Sequence, residues 1–252
     1  MLLFASEIKS ILAYLPGRAA LDYLALNEYL SFQNTLSDRT LFAGIRLLPP
    51  ATILTVGMDG TTQTKQYWDF HFQDDDQRDP AEIQEELAEK IRQAVERQCM
   101  GDVPIGSYLS GGMDSGTVTM LTARKLGRIF TFTGGFDLSE ATEREQRFDE
   151  RELAEKMSSL FQTEHYECVM HSGDMEAAMM DLVRHLEDIR LGQCYPNYYM
   201  CRLASRFVKV VLSGAGGDEL FGGYPWRYAA AIGPGEDDFV ANYYLYWQRL
   251  VS

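Results

Sequence analysis

Apolar and polar positions change their period at about residue 80 of this 252-residue chain. Two β-prone runs, 51–56 and 61–68, flank a turn of sequence GMDG and predict a hairpin. Together with short helices, the hairpin makes residues 1–72 a β-rich segment. The run QDDDQRDP at 73–80 is polar, acidic and closed by proline, so we expect an exposed linker and a domain boundary there.

Beyond residue 80 the pattern indicates helices that alternate with short strands. Apolar residues recur at helical spacing over 81–98 and predict an amphipathic helix. The remaining predicted elements are strands at 103–109, 129–136, 165–169 and 208–212, and helices at 117–126, 150–161, 175–185 and 198–207. Such alternation predicts an α/β fold around a parallel sheet. Because ligands of these sheets bind beyond the carboxyl ends of strands, chemistry is expected after Leu109, Phe136 and Leu212.

The charge and cysteine content narrow the classes of partner and location. The chain has 23 Lys and Arg against 37 Asp and Glu, a formal net charge of −14, with no basic block. This balance argues against nucleic-acid binding. No apolar run approaches the ~18 residues that a membrane span requires, so no membrane association is expected. Four cysteines without a CxxC pair favour reduced thiols and a cytoplasmic location.

A first glycine cluster directly follows the strand predicted at 103–109. It has the sequence LSGGMDSG over 109–116 and leads into a predicted helix that begins near Thr117. Gly111 and Gly112 allow a tight turn that exposes consecutive N–H groups, and the helix N-terminus adds partial positive charge. The sequence therefore predicts an anion site in this loop.

The polar residues of this loop refine the prediction. The loop has no lysine and is not a Walker A motif, so backbone amides and the Ser110 and Ser115 hydroxyls would hold phosphate. Asp114 can approach phosphate productively only across a cation, which favours Mg²⁺. An isolated Ser-Gly-Gly would more simply be a helix N-cap at a turn, but the full motif after an apolar strand favours the anion site.

The run SGGMDS at 110–115 resembles the pyrophosphate-binding loop of N-type ATP pyrophosphatases. These enzymes cleave ATP between its α and β phosphates and adenylylate a substrate. They include the synthetases for asparagine, argininosuccinate, GMP and NAD. The first cluster thus indicates a chemistry but not a substrate.

Another glycine cluster follows the strand predicted at 208–212. Residues 213–224 have the sequence SGAGGDELFGGY, which resembles the signature of glutamine-dependent asparagine synthetases and their β-lactam synthetase relatives. A second glycine-rich loop beside the first would let ATP approach the backbone, and Asp218 would add a second carboxylate for Mg²⁺ and pyrophosphate. An ordinary glycine-rich turn is the simpler alternative.

The amino-terminal third carries a matching resemblance. The runs FASEIKSI at 4–11, TLFAGIRLLPP at 40–50 and Tyr67-Trp68 are similar to segments late in that family's glutaminase domain. The resemblance implies an α/β, parallel-sheet ATP pyrophosphatase domain, adenine nucleotide alpha hydrolase-like, preceded by a β-rich remnant of an N-terminal-nucleophile glutaminase domain. We expect the glutaminase part at 1–75 and a synthetase domain, truncated at its C-terminus, at 76–252.

The resemblance also implies an activity and a set of site residues. The activity is ATP-dependent conversion of aspartate to asparagine through β-aspartyl-AMP, with ammonia from glutamine; a homodimer is compatible with it. Asp114 and Asp218 match the family's Mg²⁺ carboxylates, and with Tyr224 they form the expected catalytic set. The expected ATP contacts are Leu109, Ser110, Gly111, Gly112, Asp114, Ser115, Gly134, Ser213 and Gly214.

Departures from the family pattern leave alternatives open. Ala215 stands where well-known asparagine synthetases have Glu, so the acceptor could be a different carboxylate, as in β-lactam synthetases. The family's glutaminase nucleophile is a cysteine directly after the initiator Met, whereas position 2 here is Leu, so no glutamine hydrolysis by this chain is expected. An inactive nucleotide-binding fragment is the third hypothesis. Glu187 and Asp188 align with an acidic pair near the family's substrate pocket, with a solvated helix end as the alternative.

Overall fold

A computed structural model describes residues 2–15, 17, 19–71, 77–139, 149–189, 194–232 and 238–247. The helices are α1 (Ile8–Tyr14), α2 (Tyr23–Phe32), α3 (Pro80–Gln98), α4 (Met113–Leu126), α5 (Arg151–Phe161), α6 (Asp174–Leu186), α7 (Cys194–Ala204), α8 (Gly217–Phe221), α9 (Pro225–Ala231) and α10 (Phe239–Trp247). The strands are β1 (Thr52–Val56), β2 (Thr62–Gln66), β3 (Ile105–Tyr108), β4 (Phe130–Phe136), β5 (Glu164–Met170) and β6 (Val210–Leu212).

The chain divides into two compact units. One comprises Met1–Asp76, Val183–Arg190 and Pro225–Ser252, and the other comprises Gln77–Leu182 and Leu191–Tyr224. Residues 73–76 of the predicted linker lie outside the described residues. Within the part of the chain that the structure describes, no helix has the length and apolar character needed to cross a bilayer.

The second unit is built on a four-stranded sheet of order β5-β4-β3-β6. All neighbouring strands are parallel, with Gly106 opposite Phe130 on one side of β3 and Ser107 opposite Leu212 on the other. The predicted parallel α/β fold is therefore confirmed. Because β4 and β6 both run parallel to β3, the loops after these three strands emerge at the same edge of the sheet.

Apolar residues cover both faces of this sheet. Ile105 clusters with Val95 and Cys99 of the α3 segment, whereas the next residue, Gly106, faces the other side. That side holds a cluster in which Phe132 packs with Met200 and Ala204 of α7 and with Val208, which lies between α7 and β6. Alternate residues of a strand point to opposite faces, so two helical layers enclose the sheet.

The helix boundaries confirm three predictions and correct two. The helices predicted at 150–161 and 175–185 form as α5 and α6. The helix predicted at 81–98 forms as α3, with the Asp79 side chain accepting a hydrogen bond from Ala81 N at 2.8 Å. The helix predicted near Thr117 instead begins at Met113, because extended Gly112 serves as its N-cap and leaves Asp114 in the first turn. The helix predicted at 198–207 begins at Cys194, because proline is tolerated in a first helical turn, and it ends at Ala204.

The first unit contains the predicted hairpin and several short helices. Strands β1 and β2 pair antiparallel with Thr52 opposite Gln66, which confirms the hairpin. Glu187 accepts hydrogen bonds at 2.6 Å from the backbone N–H groups of both Ile8 and Lys9. These are unpaired donors of the first turn of α1, so the Glu187 carboxylate caps that helix.

Candidate active site

A cleft of about 640 Å³ lies at the carboxyl edge of the parallel sheet. Its volume is in the range of small-molecule sites. The loops after β3 and β6, the end of β4 and the start of α7 contribute to its lining. Of the predicted nucleotide contacts and carboxylates, those that line it are Leu109, Ser110, Gly112, Asp114, Ser115, Gly134, Ser213, Gly214 and Asp218.

The loop after β3 is held together by its two serines. The Ser110 and Ser115 hydroxyls lie 3.0 Å apart, and Ser115 Oγ also donates to Gly112 O at 3.1 Å. Ser110 N in turn donates to Ser115 Oγ at 3.2 Å. These bonds make Ser115 a staple that fixes the turn before α4.

The loop after β6 uses glycine to make a second tight turn. Ala215 N donates to Ser213 Oγ at 3.1 Å, and Gly216 has a φ of 103°, a left-handed conformation that favours glycine. Gly216 precedes the short helix α8, whose first turn carries Asp218. The turn thus brings Asp218 to the lining of the cleft.

The two loops approach each other closely. A Cβ atom at Gly214 would lie 2.5 Å from Ser115 N, and one at Gly217 would overlap the carboxylate of Asp114. Glycine at these two positions is therefore what allows the loops to meet. The contact brings the two carboxylate-bearing turns, around Asp114 and Asp218, into one cleft.

The end of β4 forms an apolar wall of the cleft. Leu109 N donates to Phe132 O at 3.0 Å, and the Thr133 hydroxyl donates to Leu109 O, which ties this wall to the first loop. A Cβ at Gly134 would lie 3.1 Å from the sulfur of Met200. Glycine here lets α7 pack directly on the strand.

Two of the predicted site residues do not line the cleft. Gly111, with a φ of 81°, packs against α5, where its Cβ would lie 3.0 Å from Leu153 Cβ. Tyr224 donates its hydroxyl to Glu219 at 3.0 Å, and this hydrogen bond raises the pKa of Tyr224 to about 12. Both residues therefore support the loops from outside the lining.

The cleft also contains polar residues that the sequence reasoning missed. Glu150 lines it from the start of α5, and partial desolvation raises the pKa of its carboxyl. Asn197 lines it from the first turns of α7. Glu150 stands at the edge of the helix predicted at 150–161, a signal that could identify it, whereas Asn197 lies just outside the helix predicted at 198–207 and carries no such signal.

Taken together, a parallel sheet with two touching glycine-rich loops places the chain among α/β proteins whose ligand sites lie at the carboxyl edge. More narrowly, it belongs to the asparagine synthase family. The family model described as Asparagine synthase matches residues 86–249, and the one described as Glutamine amidotransferase domain matches residues 1–68. The resemblance found in the sequence is thereby confirmed.

Individual relatives are consistent with this family. Asparagine synthetase [glutamine-hydrolyzing] 3 of Bacillus subtilis is 32% identical over 92% of this chain and 39% of its own length. Asparagine synthetase [glutamine-hydrolyzing] 1 of the same organism is 30% identical over 88% of this chain and 34% of its own length. Amidase chyE of Penicillium rubens is 29% identical, also over 88% and 34%. The chain thus spans little more than a third of these relatives.

Among solved structures, the NMN synthetase of Francisella tularensis matches with a TM-score of 0.37 and 15% identity. That match covers 56% of this chain and 58% of the other.

Proposed function

We propose that the cleft binds ATP and serves an amide-forming ligase that converts aspartate to asparagine with ammonia derived from glutamine. One observation carries this proposal: the loops after β3 and β6 meet, with Gly214 against Ser115, at the edge where parallel sheets bind ligands. The family membership and the names of the relatives support the same reaction.

The residues of the cleft suggest how each step proceeds. Backbone N–H groups at 110–115, with Ser213 and Gly214, would hold the phosphates, and Leu109 and Gly134 would lie beside the nucleoside. The aspartate β-carboxylate attacks the α-phosphorus and pyrophosphate leaves, which forms β-aspartyl-AMP. Ammonia then attacks the acyl carbon, AMP leaves, and the nitrogen loses a proton. Holding the reactants in line and neutralising charge would together supply most of the acceleration.

The donor set of the cleft fits Mg²⁺. Mg²⁺ is bound through one or two carboxylates together with substrate phosphates, and Asp114 and Asp218 are two such carboxylates in one cleft. When bound, Mg²⁺ would neutralise charge on the pyrophosphate.

Further parts of the proposal concern Tyr224 and the organisation of the chain. We place Tyr224 as a positioning residue, because its bond to Glu219 braces the turn that carries Asp218. We retain a domain boundary near residue 75, with a glutaminase part before it and a synthetase part after it. A cytoplasmic location is supported by the cysteines, all of which are unbridged: Cys99, Cys168, Cys194 and Cys201.

The test is pyrophosphate release from ATP with Mg²⁺ and ammonia, measured with and without aspartate. We expect release that depends on the carboxylate and is lost in Asp218→Asn, which preserves size but removes the charge. Asp181→Asn is the matched control, because Asp181 accepts a bond from Tyr198 and does not line the cleft. Carboxylate-independent release, or an active Asp218→Asn variant, would contradict the proposal.

A second candidate function keeps the adenylation but changes the carboxylate. The observation that favours it is Ala215, which lines the cleft with a methyl group where the family signature has Glu. A panel of carboxylates should then reveal one that supports faster pyrophosphate release than aspartate does. Ala215→Glu should shift the preference towards aspartate; an unchanged preference would remove the basis for this candidate.

A further inference from the structure

Asn197 presents a side-chain amide to the cleft that the reaction above does not use. It lines the cleft from α7 and is exposed. Its amide makes no hydrogen bond with any residue that the structure describes. An amide has both a donor and an acceptor, so this side chain can recognise a ligand that offers both.

The position of Asn197 is defined by its neighbour one turn along the helix. Met200 packs against Gly134, with its sulfur 3.1 Å from where a Cβ would lie, and the Met170 methyl group lies 3.5 Å from the same point. Residues three apart on a helix share a face. Asn197 therefore lies on the face of α7 that covers the end of β4.

This end of the cleft differs chemically from the end formed by the glycine-rich loops. The residues that β4, β5 and the start of α7 contribute to its lining include the apolar Phe132, Gly134, Met170, Pro196 and Met200, beside the polar Thr133 and Asn197. The loop end instead offers backbone amides, hydroxyls and two carboxylates. A nucleotide whose phosphates occupy the loops can place its base against the apolar wall. That wall can contact the flat faces of the base, but the polar edge of the base still requires a hydrogen-bonding partner.

We propose that Asn197 recognises the adenine base, which rests on the proposed ATP-dependent function. Its Oδ1 accepts a hydrogen bond from the N6 amino group, and its Nδ2 donates to the adjoining ring nitrogen. Asn is suited to this pairing because the donor and acceptor of its amide match those of adenine. Asn197 is thus a specificity-determining residue for the nucleotide.

The proposal is tested by equilibrium binding in Mg²⁺ without any carboxylate, by calorimetry or by displacement of a fluorescent ATP analogue. The ligands are ATP and purine riboside 5′-triphosphate, which lacks the N6 amino group. The wild-type chain should bind ATP about tenfold more tightly than the analogue. Asn197→Ala should bind both equally, with a larger loss for ATP than for the analogue, because the analogue keeps the ring nitrogen but lacks the N6 amino group.

Two further variants separate recognition from folding. Asn197→Asp keeps the size but replaces the donor with an acceptor, so it should bind ATP more weakly than wild type while unfolding at the same temperature. Asn242→Ala removes an amide that donates to Ala231 O at 3.3 Å in the other unit, and its nucleotide affinities should be unchanged.

The alternative results overturn the proposal in distinct ways. Equal weakening of both nucleotides in Asn197→Ala means that the residue does not recognise the N6 amino group, which contradicts the proposed pairing. Unchanged ATP affinity with a raised KM for the carboxylate would assign Asn197 to the acceptor instead. If the wild-type chain binds neither nucleotide, both this proposal and the proposed function fail; selective binding without amide formation leaves this one standing.

Discussion

The two glycine-rich loops of the cleft differ in what holds them in place. The loop after β3 follows the buried residue Leu109, is stapled by Ser115, and leads into α4, a helix of 14 residues. The loop after β6 leads into α8, which has only five residues and is flanked by left-handed Gly216 and Gly222.

The two loops therefore have different structural roles, although both are rich in glycine. The first loop owes its shape to its own hydrogen bonds and to the core beneath it. The second is located by contact with the first, since Gly214 and Gly217 lie directly against Ser115 and Asp114. The first loop is therefore held in shape by its own contacts. The second loop can lie against it only because Gly214 and Gly217 have no side chains.

The largest effect is expected from Asp114→Ala, which removes the carboxylate that the first loop carries. Pyrophosphate release should fall by about 10²- to 10³-fold, because charge neutralisation at the reacting phosphates is lost. The measurement is the initial rate at saturating Mg²⁺ and ATP, with Asp102→Ala as a control on the same unit. A variant that keeps the wild-type rate would remove the proposed role of Asp114.

The next effect distinguishes the two glycines of the second loop. Gly214→Ala meets the backbone of Ser115, which cannot rotate away, so we expect pyrophosphate release to fall by about 10²-fold through misplacement of the loops. Gly217→Ala meets only the side chain of Asp114, which can rotate at a smaller cost. If both variants lost the same amount of pyrophosphate release, the need for glycine at these positions would not be explained by the spacing between the loops.

A third prediction tests the support of the first loop. Gly111→Ala forces a side chain into a left-handed backbone and against Leu153, so it should reduce the free energy of unfolding by about 1–2 kcal/mol. Urea denaturation measures this change. Gly57→Ala in the hairpin turn, where φ is not left-handed and the interfering atoms belong to the side chains of Asp59 and Thr61, should cost less.

The smallest effect concerns Tyr224. Its folded pKa of about 12 exceeds the value near 10 of an unfolded tyrosine, because the Glu219 carboxylate accepts its hydroxyl bond. Its contribution to stability is thus complete below about pH 10 and is lost as pH rises through about 12. The difference between wild-type and Tyr224→Phe ultraviolet titrations should place one tyrosine ionisation there; ionisation near pH 10 would contradict the hydrogen bond.

The sequence pattern predicted the parts of the fold that depend on local periodicity. The hairpin and the α3 helix formed where expected, and the strand that becomes β3 was predicted from its apolar run. The start of α4 was misplaced because the motif was interpreted as a loop through Gly116, although extended Gly112 already caps the helix. Gly116 instead lies inside α4, where its missing side chain leaves room for Met157.

The sequence by itself determined the family, the parallel α/β class and the two loops, because glycine spacing and strand periodicity are local properties. Only the tertiary structure decided which residues face the cleft. Gly111 packs against α5 and Tyr224 donates a hydrogen bond to Glu219, whereas Asn197 lines the cleft from α7. The physical reason is that a cleft is defined by the approach of elements distant in sequence, and that approach depends on packing in three dimensions, such as Met200 on Gly134.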